Sequence, residues 1–265
     1  MFLHIPKTGG SMIRAYLQDQ VQNDSFYFGT WEKGGADTAY RRMDDYCVNG
    51  TPQNSSVILE AHGNVMFSGL HHLSTNINRW RGLARENRVP FFAFTVMREP
   101  FAWYRSFFNY FYVFIKKKNA TESEFEANMV ANMQCGELLG INKGARTFTY
   151  QECTDAMNSL IELMDWVFTN EYISTELIPL ISYLGRFENR KVGIIQPDMF
   201  DSKQKHLEDI SNKGKERLLR MTTWDMELYH KIQQSYNFSN WRNYLDSQHA
   251  LNHVCTWYRK EGTCV

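Results

Sequence analysis

The chain has 265 residues, 43% hydrophobic and 15% aromatic, and its 29 Lys and Arg cancel its 29 Asp and Glu. That length buries a real core in one large domain, while zero net charge excludes a global field for nucleic acid or an anionic membrane, so any anion is held locally. The apolar-rich run Phe91 to Met97 spans seven residues, and no uninterrupted apolar run is longer, far short of the about 20 that a membrane helix needs.

In chain order, Phe2 to Ile5 predicts a short buried strand, and Pro6 to Gly10 a glycine-containing loop. Ser11 then opens a helix with Met12, Ile13, Tyr16 and Leu17 on one face. The polar, glycine-bearing stretch 23–55 reads as irregular surface. Val57 to Leu59 predicts a second strand running into Glu60, Ala61, His62 and Gly63. Phe91 to Met97 is the strongest strand, broken at Arg98-Glu99-Pro100, and Pro100 suits the first turn of a helix reaching about Lys118. Further helices are expected over 122–134, 153–164 and about 173–187, with strands at Trp166 to Thr169 and Val192 to Ile195. After Asp198 the pattern turns helical, and about 237–265 reads as an irregular tail. Strands separated by helices imply a three-layer α/β fold, a parallel sheet flanked by helices, in a single domain over 1–265.

Ligands of such folds collect where helix N-termini point backbone N–H groups out beyond the strand ends. His4-Ile5-Pro6-Lys7-Thr8-Gly9-Gly10-Ser11 has the parts for that site. Gly9 and Gly10 allow close approach of the backbone, Thr8 and Ser11 add hydroxyls, and Lys7 adds a mobile charge. A nucleoside-triphosphate loop reads GxxxxGK(S/T), with its lysine after the glycines. Here the lysine comes first, which weakens a nucleotide kinase reading without removing the anion site.

HIPKTGGS resembles the 5′-phosphosulfate loop of sulfotransferases that use 3′-phosphoadenylyl sulfate (PAPS), especially the Golgi carbohydrate class that includes the heparan sulfate 2-O- and 6-O-sulfotransferases. The resemblance implies a P-loop NTPase-like sulfotransferase fold and a second motif, an arginine after a strand and a serine eight residues later that bind the 3′-phosphate. FTVMREPFAWYRSFF supplies Arg98 and Ser106 at that spacing. Read from its residues alone, Arg98 leaves a strand where its planar fork can hold a phosphate, or where it can pair with a carboxylate, and Arg105 competes for the same role.

Transfer to an alcohol needs an in-line acceptor, charge stabilisation on the leaving group, and a base. Lys7 suits the second need. His62, near the end of the second strand, suits the third, because histidine accepts protons near neutral pH. The resemblance places a catalytic histidine in a comparable position. Glu60 is the alternative base, since other branches use glutamate, while His71 and His72 are weaker candidates. The implied donor is PAPS, yielding adenosine 3′,5′-bisphosphate, and the implied acceptor is a carbohydrate hydroxyl on a glycan, glycosaminoglycan or glycolipid. Lys116 to Lys118 and Arg79, Arg81, Arg85 and Arg88 could line a basic groove or merely solvate helix faces. No metal is implied. The other readings are a non-catalytic glycan- or nucleotide-binding protein on the same fold and, more remotely, a nucleotide kinase.

Five cysteines, at 47, 135, 153, 255 and 264, fall into no paired metal spacing. Cys255 and Cys264 are expected to bridge locally in the tail. Five N-x-S/T acceptors, at Asn23, Asn49, Asn54, Asn119 and Asn237, lean toward a secretory lumen. No signal peptide precedes Met1, so a domain or fragment of a longer Golgi or secretory precursor, itself making no membrane contact, is expected.

Overall fold

A computed structural model of the chain describes residues 1–20, 26–29, 35–50, 57–62, 69–141, 147–185, 207 and 210–235. Apolar runs too short for helices become strands. They are β1 (Phe2–His4), β2 (Phe26–Gly29), β3 (Val57–His62), β4 (Phe94–Met97) and β5 (Trp166–Thr169). They form one sheet in the order β2-β3-β1-β4-β5, with every pairing parallel. The register sets Phe2 opposite Glu60 and His4 opposite His62 on one side of β1, and Phe2 opposite Phe94 on the other.

The helices are α1 (Gly10–Gln20), α2 (Gly35–Asn49), α3 (Gly69–Glu86), α4 (Pro100–Phe108), α5 (Glu122–Asn128), α6 (Met133–Leu139), α7 (Tyr150–Leu163), α8 (Ile178–Gly185), α9 (Asn212–Met221) and α10 (Thr223–Ser235). Right-handed crossovers decide which face each one covers. From β1 the chain moves toward the β2 edge, but from β2, β3 and β4 it moves the other way. Helix α1 therefore lies on one face, and α2, α3 and the helices between β4 and β5 on the other. Side-chain contacts agree: Tyr16 of α1 bonds Ser182 of α8, whereas α3 packs against α2, α6 and α7. The fold is thus α/β, a parallel sheet flanked by helices, compatible with the expected three layers.

Local chemistry fixes several helix starts. Glu99 accepts from the N–H groups of Phe101 and Ala102 with Pro100 in the first turn, so the arginine before it is held at a rigid strand-to-helix corner. Thr149 and Glu152 form a reciprocal capping box on α7. Trp80, Trp103 and Trp166 are among the fully buried side chains. A second apolar cluster, including Trp103, Phe107, Phe108, Phe125 and Leu218, packs around α4 away from the main sheet core.

Two expectations change. The stretch 23–55 is not all irregular, because it contains β2 and α2. In α2 only Ala39, Met43 and Cys47 are buried, a stripe one residue wide among Arg and Asp, too thin to show as periodicity. The predicted helix to Lys118 leaves α geometry at Asn109 and continues as a π-helical stretch, Asn109–Ile115. The expected strand 192–195, the Cys255–Cys264 pair and the tail lie outside the described residues.

A different bridge, Cys135–Cys153, joins α6 to α7 across 18 residues, with Cα atoms 5.4 Å apart. Closing a loop of that size constrains the unfolded chain by about 3 kcal/mol. Reduction is expected to lower unfolding free energy by about that amount, measured by urea titration with and without reductant; an unchanged midpoint would contradict the bridge. Cys47 is buried and its thiol is pushed up to about 12, chiefly by burial, so it is an inert core residue.

Candidate functional site

Chain direction reverses between β1 and β4, since the segment after β1 departs toward one sheet edge and the segment after β4 toward the other. Open parallel sheets form their ligand crevice at such a switch point, beyond the carboxyl ends of the strands. The two sequence motifs sit there: the Lys7 loop follows β1, and Arg98 follows β4.

The loop's carbonyls are all turned inward. Thr8 Oγ1 donates to the Ile5 carbonyl at 2.8 Å, and Trp103 Nε1 to Pro6 at 2.7 Å. Arg98 Nη1 donates to the Lys7 carbonyl at 3.2 Å, Asn170 Nδ2 to Thr8 at 2.9 Å, and the Met12 N–H to Gly9 at 3.0 Å. In a trans peptide the N–H points opposite to the C=O, so bonding the carbonyls inward directs the following N–H groups outward. Among the described residues, no hydrogen bond occupies the N–H groups of Thr8, Gly9, Gly10 or Ser11. Together with the start of α1 they have the arrangement in which backbone N–H groups can receive an anion.

The backbone of this loop is constrained. Lys7 has φ 65° and Gly9 φ 97°, and a left-handed lysine is a strained position that its surroundings must hold. A Cβ on Gly9 would lie 2.5 Å from Asn170 Nδ2, and one on Gly10 would overlap the His4 imidazole. Both glycines are thus demanded by packing. Thr8 is fully buried with its hydroxyl proton given to Ile5, so it braces the loop where it was expected to donate to the anion, and Ser11 is exposed at the first turn of α1.

Two cations share the crevice. Burial, then the Arg98 charge, depresses Lys7 to about 8. Arg98 is itself depressed by burial and by Arg105, against which Glu171 and Glu99 act. Among the described residues no carboxylate forms an ion pair with Arg98. Its backbone is braced as well, the Arg98 carbonyl accepting from Gln134 Nε2 of α6 at 3.0 Å. The N-terminus of α6 is in turn held by buried Asp225, which accepts from the N–H groups of Gln134 and Cys135. Ser106 is partly buried on α4, one residue past Arg105.

Beneath the loop lies a buried charge cluster that local patterning does not show. Glu60 is fully buried, with Oε1 2.5 Å from His4 Nδ1, and it accepts from Arg14 Nη2 at 2.7 Å and Nε at 3.0 Å. Burial alone would raise the Glu60 carboxyl, but bonds from His4 and Arg14 outweigh it and hold the group below the ordinary carboxylate range. The cluster ties β3 to β1 and α1, and sets the His4 ring against Gly10. His62 ends β3 in register with His4; the side chains of His62, His71 and His72 lie outside the described set.

Asn170, Trp103, Gln134 and Arg14, and the pairing of His4 with Glu60, carry no local signal strong enough to mark them as supports of the site. Asn170 directly follows the strand Trp166–Thr169, and its position just beyond a strand end was the available signal. Trp103 reaches the loop, and Gln134 the Arg98 corner, from distant segments, and His4 and Arg14 flank the loop but turn to Glu60 on β3. Among the described residues no cluster of His, Cys, Asp and Glu could hold a metal, and no helix is long and apolar enough to cross a membrane. Sequons Asn49 and Asn119 are exposed. No protein-family model, curated protein or solved structure matches the chain.

Proposed function

We propose that the chain transfers a sulfuryl group from PAPS to a hydroxyl of a carbohydrate acceptor, in the Golgi lumen or elsewhere in the secretory pathway. The observation that carries this reading is the direct contact of Arg98 with the Lys7 loop at the switch point, two anion anchors from distant segments meeting in one crevice. A single phosphate site needs only the loop; two cationic anchors suit a ligand with anionic groups at both ends. The donor set fits: outward N–H groups of Gly9, Gly10 and Ser11, the Lys7 ammonium, and an Arg98 guanidinium without a carboxylate partner among the described residues.

PAPS supplies an activated sulfuryl group and an adenosine bisphosphate leaving group. In this reading the outward N–H groups form an anion nest, which with Lys7 holds the 5′-phosphate and stabilises the charge that grows on it during transfer. Arg98 and Ser106 hold the 3′-phosphate. The base is His62, because Glu60 is already committed to His4 and Arg14, which hold it below the ordinary carboxylate range. The disulfide and the exposed sequons suit an oxidising, glycosylating compartment.

The test is transfer of labelled sulfate from PAPS to a panel of neutral and acidic glycans. A labelled product supports the reading; tight complexes without labelled product would indicate a binding protein instead. A pH signature should accompany the nucleotide. Lys7 carries its proton below about 8, so affinity for adenosine 3′,5′-bisphosphate is expected to be greatest below that pH and to fall above it. Calorimetric titration between pH 6.5 and 9.5 reads this, and Lys7→Met should remove that step.

A further inference from the structure

The π-helical stretch Asn109–Ile115 has an unusual winding of the kind found often at functional positions. It begins where α4 ends, within reach of the loop. The Lys7 ammonium lies over the Tyr110 ring, 4.0 Å from its centroid. Tyr110 is fixed by its neighbours: it stacks on Phe114 with centroids 5.7 Å apart and meets Phe111 edge-on at 5.0 Å. Phe111 packs against Phe107 at 4.5 Å, and Phe107 belongs to the buried cluster around α4. The ring is thus tied, through the exposed Phe111, to the edge of that cluster.

We infer that Tyr110 is a positioning residue for Lys7, its ring face holding the ammonium charged and in one place beside a second half-buried cation. The proposal rests on the reading above only for the identity of the anion. A lysine ammonium rides on a flexible four-carbon stem, and here a strained left-handed backbone fixes where that stem starts. Arg98 faces Lys7 directly, and Arg105, Glu99 and Glu171 surround Arg98. An aromatic face attracts a cation through its quadrupole while adding no carboxylate that would repel an incoming anion. Tyr110 therefore opposes the repulsion from Arg98 without closing the nest, which an Asp or Glu in its place would do.

The experiment measures Lys7 titration by NMR on the methyl-labelled lysines of the whole chain, assigned with Lys7→Arg, in four proteins. They are the wild type, Tyr110→Phe, Tyr110→Leu, and a variant with trifluorophenylalanine at 110, which keeps ring shape and weakens the quadrupole. Tyr110→Phe is expected to titrate with the wild type. Tyr110→Leu and the fluorinated ring are expected to titrate about half a unit or more lower, and the pH midpoint for binding adenosine 3′,5′-bisphosphate should fall with them. A residue that only filled space would leave the fluorinated variant unchanged. Equal titration in all four proteins would overturn the inference, as would Tyr110→Phe behaving like the leucine variant, which would assign the effect to the hydroxyl. Because the NMR titration needs no nucleotide, the expected shifts without nucleotide binding would uphold the Tyr110 role while removing the sulfotransferase reading.

Discussion

Replacing His62 by alanine is expected to lower sulfuryl transfer by about 10²–10⁴-fold, while binding of adenosine 3′,5′-bisphosphate survives. The size is that of a positioned general base, lost when the acceptor hydroxyl must shed its proton to water. Nucleotide binding should survive because the nest, Lys7 and Arg98 belong to other segments: the loop after β1 and the corner after β4. His62 stands at the carboxyl end of β3, beside β1 in the register, where an acceptor would approach the donor held by the loop. Initial rates with saturating PAPS, set beside calorimetric affinity for the product nucleotide, separate the two effects. Near-normal turnover in His62→Ala would refute the assignment of the base.

The second large effect is on folding. Glu60→Ala leaves His4 and Arg14 without their shared carboxylate, and breaking a buried pair from one side costs about 3–5 kcal/mol. Arg14 is 28% exposed and can turn to water, so the lower end, about 3 kcal/mol, is expected. For a chain of this length that corresponds to a melting point lower by about 6–12 °C. The pH dependence has a definite sign. The Glu60 carboxyl is depressed in the folded state, so its stabilisation is present above the ordinary glutamate pKa and is lost as pH falls through the folded value. Urea unfolding of wild type and Glu60→Ala at pH 7 and at progressively lower pH tests both statements. A loss under about 1 kcal/mol at pH 7 would mean the cluster behaves as an exposed pair.

Much of the architecture was legible because it is locally encoded. β5 begins and ends at Trp166 and Thr169, as its apolar run suggested, and the Arg98-Glu99-Pro100 corner was marked by a strand stop followed by a helix-starting proline. The loop could be read because a lysine and two glycines between a strand and a helix have few purposes. What stayed hidden depends on distant partners. Helix α2 shows only three buried residues along 15, so its helicity rests on packing against α3. Glu60 looked like an available carboxylate beside His62, yet His4 and Arg14 lie 56 and 46 residues away in sequence and claim it in space. Cys135 and Cys153 carry no pairing signal, and their bridge follows from α6 packing on α7. Local spacing exposed the anchors; the braces that hold them were visible only in three dimensions.

The central claim is that the crevice between β1 and β4 binds both ends of adenosine 3′,5′-bisphosphate. Thermal unfolding of wild type and Arg98→Ala with that nucleotide, AMP and ATP tests it most directly. At about 100 times its Kd the bisphosphate is expected to stabilise the wild type by about 2.7 kcal/mol, raising the melting point by about 5–11 °C. AMP should do much less, and Arg98→Ala should reduce the bisphosphate to the level of AMP. A larger shift with ATP, or equal shifts with AMP and the bisphosphate in both proteins, would contradict the account.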